Sequence, residues 1–186
     1  MTNRIQIMGS SGSGKSTVGA RLAAILGVPH VELDALRFLP DWVERDDADF
    51  RTLIDAATSS DAWVASGNYI SKGQDLLWGR ANMIVWLDLP LHVTIPRQLT
   101  RSWRRWRTQE LLWGTNIERF WPQLAIWDPK RSIVGWTLAS HKRHNQRMAD
   151  AMTDPQWAHV RFTRLTSQRE IDRFLASIAN RIEELA

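Results

Sequence analysis

At 186 residues the chain is long enough for one domain with a substantial core, and at 44% hydrophobic and 24% charged it has an ordinary globular composition. It contains no cysteine, which excludes a disulfide framework and a cysteine zinc site, and no stretch approaches the roughly 18–20 apolar residues of a membrane span. The net charge of +4 hides an asymmetry. Acidic residues dominate between Glu32 and Asp61. Arg97, Arg101, Arg104, Arg105 and Arg107, then Lys130, Arg131, Lys142, Arg143 and Arg147, crowd the second half, which points to a polyanionic ligand there.

Residues 3–8 read as a first strand, entered directly with no signal-peptide pattern, so the expected location is cytoplasmic. Residues 15–27 read as a helix with Val18, Leu22, Ile25 and Leu26 on one face and Gly27 as its stop. Pro29 to Leu33 reads as a short strand with Asp34 just past its carboxyl end, and Asp41 to Glu44 as loop. Asp46-Asp47 opens a second helix, where acids suit the positive end of the dipole. Ala62 to Ala65 is a third strand ending in Ser66-Gly67-Asn68-Tyr69, and Lys72 to Gly79 a loop or short helix. Met83 to Leu89 is a continuous apolar run of the kind buried on both faces. Leu91 to Arg107 is a basic helix with Pro96 in its first turns, and Thr108 to Arg131 is irregular. A helix over Ser132 to Met152, a strand over Ala158 to Leu165 and a helix over Ser167 to Leu185 close the chain.

Between the first strand and the first helix lies Gly9-Ser10-Ser11-Gly12-Ser13-Gly14-Lys15-Ser16, which fits G-x-x-x-x-G-K-[ST] in the strand–loop–helix setting that gives this pattern meaning. Glycines let the backbone turn tightly and approach an anion, successive N–H groups then cradle phosphates, and the helix starting at Lys15-Ser16-Thr17 adds the positive end of its dipole. Lys15 supplies a mobile charge for the β- and γ-phosphates of a nucleotide, and Ser16 a hydroxyl for Mg²⁺. Strands alternating with helices imply βαβ units around a parallel sheet, with ligands at the strands' carboxyl ends. Asp34, Ser66-Gly67-Asn68 and Asp88 fall there, Asp88 as a structural strand-end residue. No second domain or repeat is visible, so residues 1–186 are expected to form one domain.

These features resemble the small P-loop kinases of the adenylate kinase and shikimate kinase group, and more narrowly the bacterial topology modulation protein relatives of that group. The resemblance is carried by the phosphate loop, Leu33-Asp34-Ala35-Leu36, Gly67-Asn68-Tyr69, Val85-Trp86-Leu87-Asp88-Leu89-Pro90 and the arginine-rich helix that follows. It implies a three-layer α/β P-loop NTPase fold with a five-stranded parallel sheet in the order 2-3-1-4-5 and a helical or irregular lid at about 104–131. It implies ATP as phosphoryl donor with Mg²⁺. It places Arg97 and Arg101 at the adenine and the phosphates, makes Arg104, Arg105 and Arg107 candidate lid arginines, and matches Arg37 to an acceptor-phosphate arginine. Asp34 is the candidate for the acceptor hydroxyl or the metal-side carboxylate, and Gly67 and Asn68 are candidate acceptor contacts. Ser66 stands where relatives carry an aspartate that supports Mg²⁺. No arginine follows Gly67-Asn68-Tyr69 closely, which argues against AMP as acceptor.

The expected activity is transfer of the γ-phosphoryl of ATP to a small acceptor by a monomer or weak homodimer without a membrane partner. The alternative is a nucleic-acid-binding or regulatory ATPase, suggested by the run Arg101-Ser102-Trp103-Arg104-Arg105-Trp106-Arg107, which interleaves cations with aromatics as single-strand binders do. Eleven tryptophans is a high count. Trp63 and Trp86 lie in apolar runs and are expected in the core. Trp103, Trp106, Trp113, Trp121, Trp127 and Trp136 fall in the basic half with no role assigned. The five histidines show no metal-type pairing.

Overall fold

The computed structural model describes residues 3–184. Strand β1 (Arg4–Gly9) leads through the phosphate loop into α1 (Lys15–Leu26), and β2 (His30–Glu32) is followed at once by a short helix, α2 (Leu33–Arg37). A 3₁₀ turn at Pro40–Trp42 precedes α3 (Asp47–Ala57), then come β3 (Trp63–Ser66), α4 (Ile70–Arg80), β4 (Met83–Leu87) and α5 (Leu91–Thr108). A small hairpin, β5 (Leu111–Leu112) and β6 (Asn116–Ile117), and a 3₁₀ turn at Trp121–Leu124 fill the irregular stretch before α6 (Ile133–Ala151), β7 (Arg161–Leu165) and α7 (Gln168–Glu183). The main sheet runs β2-β3-β1-β4-β7, which is the expected 2-3-1-4-5 when sheet strands alone are counted, and every pairing in it is parallel.

Alternation along each strand sends successive side chains to opposite faces. Ile5, Ile7, Val64, Val85 and Leu87 pack with α1 and α7 through Val18, Leu22, Ile171 and Leu175. Met8, Trp63, Ala65, Ile84 and Trp86 pack on the other face with Phe50, Ile54, Leu77 and Trp78 of α3 and α4. Burial on both faces is why these strands read as unbroken apolar runs, and Trp63 and Trp86 are core residues as expected.

Local chemistry sets most helix ends. Gly27 caps α1 in the left-handed conformation, and Asp46, Ser132 and Ser167 accept backbone N–H bonds at the starts of α3, α6 and α7. Most boundaries shift by one or two residues, the fourth strand ending at Leu87 rather than Leu89, and four segments are assigned differently. The second strand stops at Glu32, because buried Leu33 already turns into α2, so Asp34 lies in a helical turn. The 41–44 stretch begins inside the 3₁₀ turn, the 72–79 segment belongs to a full helix from Ile70, and the last strand starts at Arg161 after a 3₁₀ turn at Pro155–Trp157. Leu185, the expected end of the last helix, lies outside the described residues. Among the described residues no helix is long and apolar enough to cross a membrane.

Candidate nucleotide and acceptor site

The central strand β1 delivers Gly9 to the carboxyl edge of the sheet, between β3 and β4 where the strand order reverses. Asn68 clamps the start of the loop: its amide donates to the Gly9 carbonyl at 2.6 Å, and its carbonyl accepts from the Gly9 N–H at 3.0 Å. The loop closes on itself through Ser13 N–H to the Ser10 carbonyl at 3.1 Å. Gly12, at φ +80°, passes so near α5 that a Cβ would lie 2.2 Å from the Thr94 carbonyl oxygen. Gly14, at φ +88°, is different: a Cβ there would meet nothing within 4 Å, so the loop is open on the side where α1 begins. The buried hydroxyls of Ser10 and Ser13 have no partner among the described residues.

Lys15 makes no hydrogen bond or ion pair with any described residue. Burial lowers its pKa, Asp34 and Glu32 oppose that, and the Arg101 charge adds to it. The Ser16 hydroxyl is likewise unclaimed among the described residues. Beside the loop runs a groove of about 270 Å³ lined by Gly12, Ser13, Gly14, Thr17, Arg97 and Arg101 and reaching Gln168 at the start of α7. Arg97 donates to Gln168 Oε1 at 3.2 Å and Arg101 to Ser11 Oγ at 3.3 Å. A neighbouring hollow of about 380 Å³ is formed by Pro96, Arg97, Thr100, Arg101 and Arg104. Arg97, Arg101 and Arg104 thus share one helix face by the i, i+4, i+7 spacing. Arg105 turns away to Glu118 at 3.2 Å and Glu110 at 3.5 Å, and Arg107 is exposed.

On the other side of the loop, Asp34 Oδ1 accepts from the Tyr69 hydroxyl at 2.7 Å. Burial, then the Asp34 carboxylate, push that phenol far above its usual range, so Tyr69 remains a donor. Arg37 is only 3% exposed and is held by Asp47 at 2.7 Å and by Glu44. The Gly67 N–H donates to the Ile7 carbonyl, and its own carbonyl accepts from Gln6 Nε2. The structure therefore brings Lys15, Ser16, Asp34 and Arg101 together at the loop, whereas the terminal guanidinium nitrogens of Arg37, the Gly67 backbone and the Asn68 amide are engaged with other parts of the protein. Ser66 hydrogen-bonds with His30 at 3.0 Å, and Asp88 ties Arg164 and Asn145 to the end of β4.

Several residues here carried no individual role in the sequence. Trp113, on the 111–117 hairpin, donates through Nε1 to Glu32 at 3.0 Å. Asn116 accepts from the Trp42 N–H at 2.8 Å and donates to the Leu39 carbonyl at 3.0 Å, and the Trp42 indole donates to the Ile117 carbonyl at 2.9 Å. The hairpin is thus seated on the segment after α2, with Phe38, Trp42 and Trp113 packed ring to ring. His144 of α6 is also near: burial, then the Lys15 and His141 charges, push its pKa down to about 4, and its Nε2 has no partner. Glu32, two residues before Asp34, was the one legible neighbour. The others are brought in by contacts spanning more than 70 residues.

An open parallel sheet with a phosphate loop at its switch point defines a P-loop NTPase fold. A model of the ATPase family associated with various cellular activities (AAA) matches residues 5–88, from β1 through the end of β4. Solved structures extend the match to the whole chain. A gluconokinase from Sinorhizobium meliloti 1021 is 22% identical, covering 100% of this chain and 98% of its own at a TM-score of 0.50. A shikimate kinase from Acinetobacter baumannii is 20% identical, with 97% and 92% covered at a TM-score of 0.54. A deoxyadenosine kinase from M. mycoides is 12% identical, with 97% and 98% covered at a TM-score of 0.51. Among curated proteins, "Uncharacterized protein YqaC" of Bacillus subtilis (strain 168) is 28% identical over 152 residues, 81% of this chain and 84% of its own. The chain has the fold of the small P-loop kinases. The narrower likeness to topology modulation proteins is not carried by these matches.

Proposed function

We propose that this chain is a P-loop kinase that moves the γ-phosphoryl group of ATP to a hydroxyl of a small acceptor. The observation that carries this reading is the pairing across the loop of an unclaimed ammonium, Lys15, with an acceptor-side carboxylate, Asp34, inside its electrostatic reach. The loop's backbone N–H groups and the start of α1 bind the β- and γ-phosphates. Lys15 and Arg101 neutralise charge on the migrating group, Arg97 lines the groove along which the rest of the nucleotide lies, and Arg104 lines the hollow next to it. Asp34, held by the Tyr69 hydroxyl, orients the acceptor hydroxyl and takes its proton. The acceptor oxygen bonds to the γ-phosphorus as the bond from that phosphorus to the β–γ bridging oxygen breaks, and ADP leaves. The 104–131 segment excludes water, which would otherwise compete as acceptor.

Mg²⁺ suits this site because it is usually held by one or two side chains together with phosphates and water. The unclaimed Ser16 hydroxyl and Asp34 offer that set, and the ion would add charge neutralisation between the phosphates. The cytoplasm, which supplies both ATP and Mg²⁺, is the proposed location, and the working unit a monomer or weak homodimer.

The second reading, a nucleic-acid-binding or regulatory ATPase, has one observation in its favour: Trp121 and Trp127 are 61% and 81% exposed. The Arg/Trp run does not support it as a stacking platform, because the run splits between faces. Arg101 turns to the phosphate loop, Ser102 is buried, Arg105 is tied to Glu118, and Trp103 and Trp106 pack on Phe120. An Asp34→Asn variant tests the favoured reading. Acceptor-dependent ADP release should fall by about 10²–10⁴ with nucleotide affinity nearly unchanged. A variant as active as the parent would remove Asp34 from the chemistry.

A further inference from the structure

We propose that the acceptor is a hydroxyl compound without an anionic group, that is, an uncharged or cationic polyol such as a nucleoside, sugar or amino sugar. This rests on the kinase reading above and narrows its substrate.

The inference comes from charge accounting around Asp34. A carboxylate or phosphate on an acceptor needs an unmatched cation at the acceptor side. Arg37 shares α2 with Asp34, and both its charge and Glu44's act on Tyr69, the partner of Asp34. Yet Arg37 is held by Asp47 and Glu44, and the same two carboxylates hold Lys72, at 2.9 and 3.5 Å. Two cations and two carboxylates make a closed network of zero net charge. An incoming anion would have to displace carboxylates that are already tethered in place. Beyond this network the groups facing Lys15 from the acceptor side are themselves acidic, Asp34 and Glu32, the latter fixed by Trp113. An anion placed among them meets like charge and is disfavoured.

Among the described residues the site cations without a carboxylate partner, Lys15, Arg97 and Arg101, lie at the phosphate loop or the groove beside it and are needed there by the triphosphate. Next to Glu32 stands an aromatic cluster, joined to it through Trp113. Phe38 and Trp113 lie nearly parallel with centroids 5.9 Å apart, and Trp42 meets both edge-on. Flat rings and the C–H faces of sugars suit such a cluster, and a cation gains from it as well.

The test uses matched compounds differing in charge: adenosine with AMP, and glucose with gluconate and glucosamine. Each is offered with Mg·ATP and followed by ADP release, and with Mg·AMP-PNP and followed by tryptophan fluorescence. The expected result is a kcat/KM for the uncharged or cationic member at least about tenfold above its anionic counterpart. Anionic compounds should act only as competitors of ATP. Equal or better turnover of AMP or gluconate overturns the proposal, and so does failure of every uncharged and cationic member to bind or react. In the Glu44→Gln/Asp47→Asn double variant, Arg37 and Lys72 are released, and the anionic members should gain about tenfold relative to the parent. An unchanged preference there would overturn the assignment to this network. If that variant does not fold, the comparison on the parent protein still decides. A protein that binds AMP-PNP through Lys15 yet phosphorylates only anionic members keeps the kinase reading and loses this one. If AMP-PNP binding is indifferent to Lys15→Ala, both are lost.

Discussion

Asn68, Arg37 and His144 show how far a residue's type determines its task. Asn68 and Arg37 have the chemistry to touch an acceptor; Asn68 was a candidate from its place at a strand's carboxyl end, and Arg37 through the family resemblance. What position does not reveal is competition for their hydrogen bonds. Asn68 matches the Gly9 backbone with both ends of its amide, and Arg37 meets Asp47 and Glu44, ten and seven residues later in sequence. Lys15 and Asp34 were legible because a glycine loop and a strand end leave little else for them to do. His144 was not, since nothing in its helix marks which face meets the loop. Its burial beside Lys15 has a consequence for acid stability. The pKa falls from an ordinary 6.5 in the unfolded chain to about 4 in the fold. Between these values the unfolded chain binds the proton and the native state does not, so this contribution to stability is complete above pH 6.5 and is lost as the pH falls toward 4. Thermal unfolding of wild type and His144→Gln should therefore diverge, wild type losing on the order of 1–2 kcal/mol more over that window. Parallel curves would mean that His144 is not protected.

Among elements, α5 carries the most duties. Its first turns pass the phosphate loop at Thr94, its middle presents Arg97 and Arg101 to the groove and Arg104 to the neighbouring hollow, and its last turns hold the segment that follows. The sequence read it as one basic helix with Pro96 near its start, and it is one. The distribution of duties depends on the 100° step between residues against neighbours that sequence does not display. The hold on the following segment is Glu118, a carboxylate that is 7% exposed and is satisfied by Ser102 and Arg105. Removing Arg105 leaves that buried charge half-paired. Arg105→Ala should cost about 3 kcal/mol in denaturant unfolding and loosen the 109–131 segment, seen as faster proteolysis there. A loss below about 0.5 kcal/mol, the ordinary surface value, would show that the pair contributes little. The β5–β6 hairpin itself was invisible in the sequence. Its two-residue strands are too short to show a period, and its partners, Glu32, Leu39 and Trp42, lie 74–81 residues upstream.

At the scale of the molecule, the two-sided core and the place of the loop were legible because a parallel sheet covered on both faces writes itself as apolar runs between helices, whereas the sheet order came from the resemblance to the small P-loop kinases. The acceptor side was legible only as far as Asp34. The aromatic cluster beside Glu32, made by Phe38, Trp42 and Trp113, joins pieces of chain that no local pattern connects. The same division separates the functional claims. The fold supports nucleotide chemistry at the loop, and the arrangement around Asp34 supports a small acceptor under a closing segment.

The central claim is tested most directly by ADP release from Mg·ATP, measured with and without a panel of small hydroxyl compounds, in wild type and Lys15→Ala. The account predicts acceptor-dependent release in wild type and a triphosphate affinity about 10–100-fold weaker in the variant, with release lost at matched ATP. ATP turnover that no small acceptor changes, but that single-stranded DNA raises in a salt-dependent way, would contradict it.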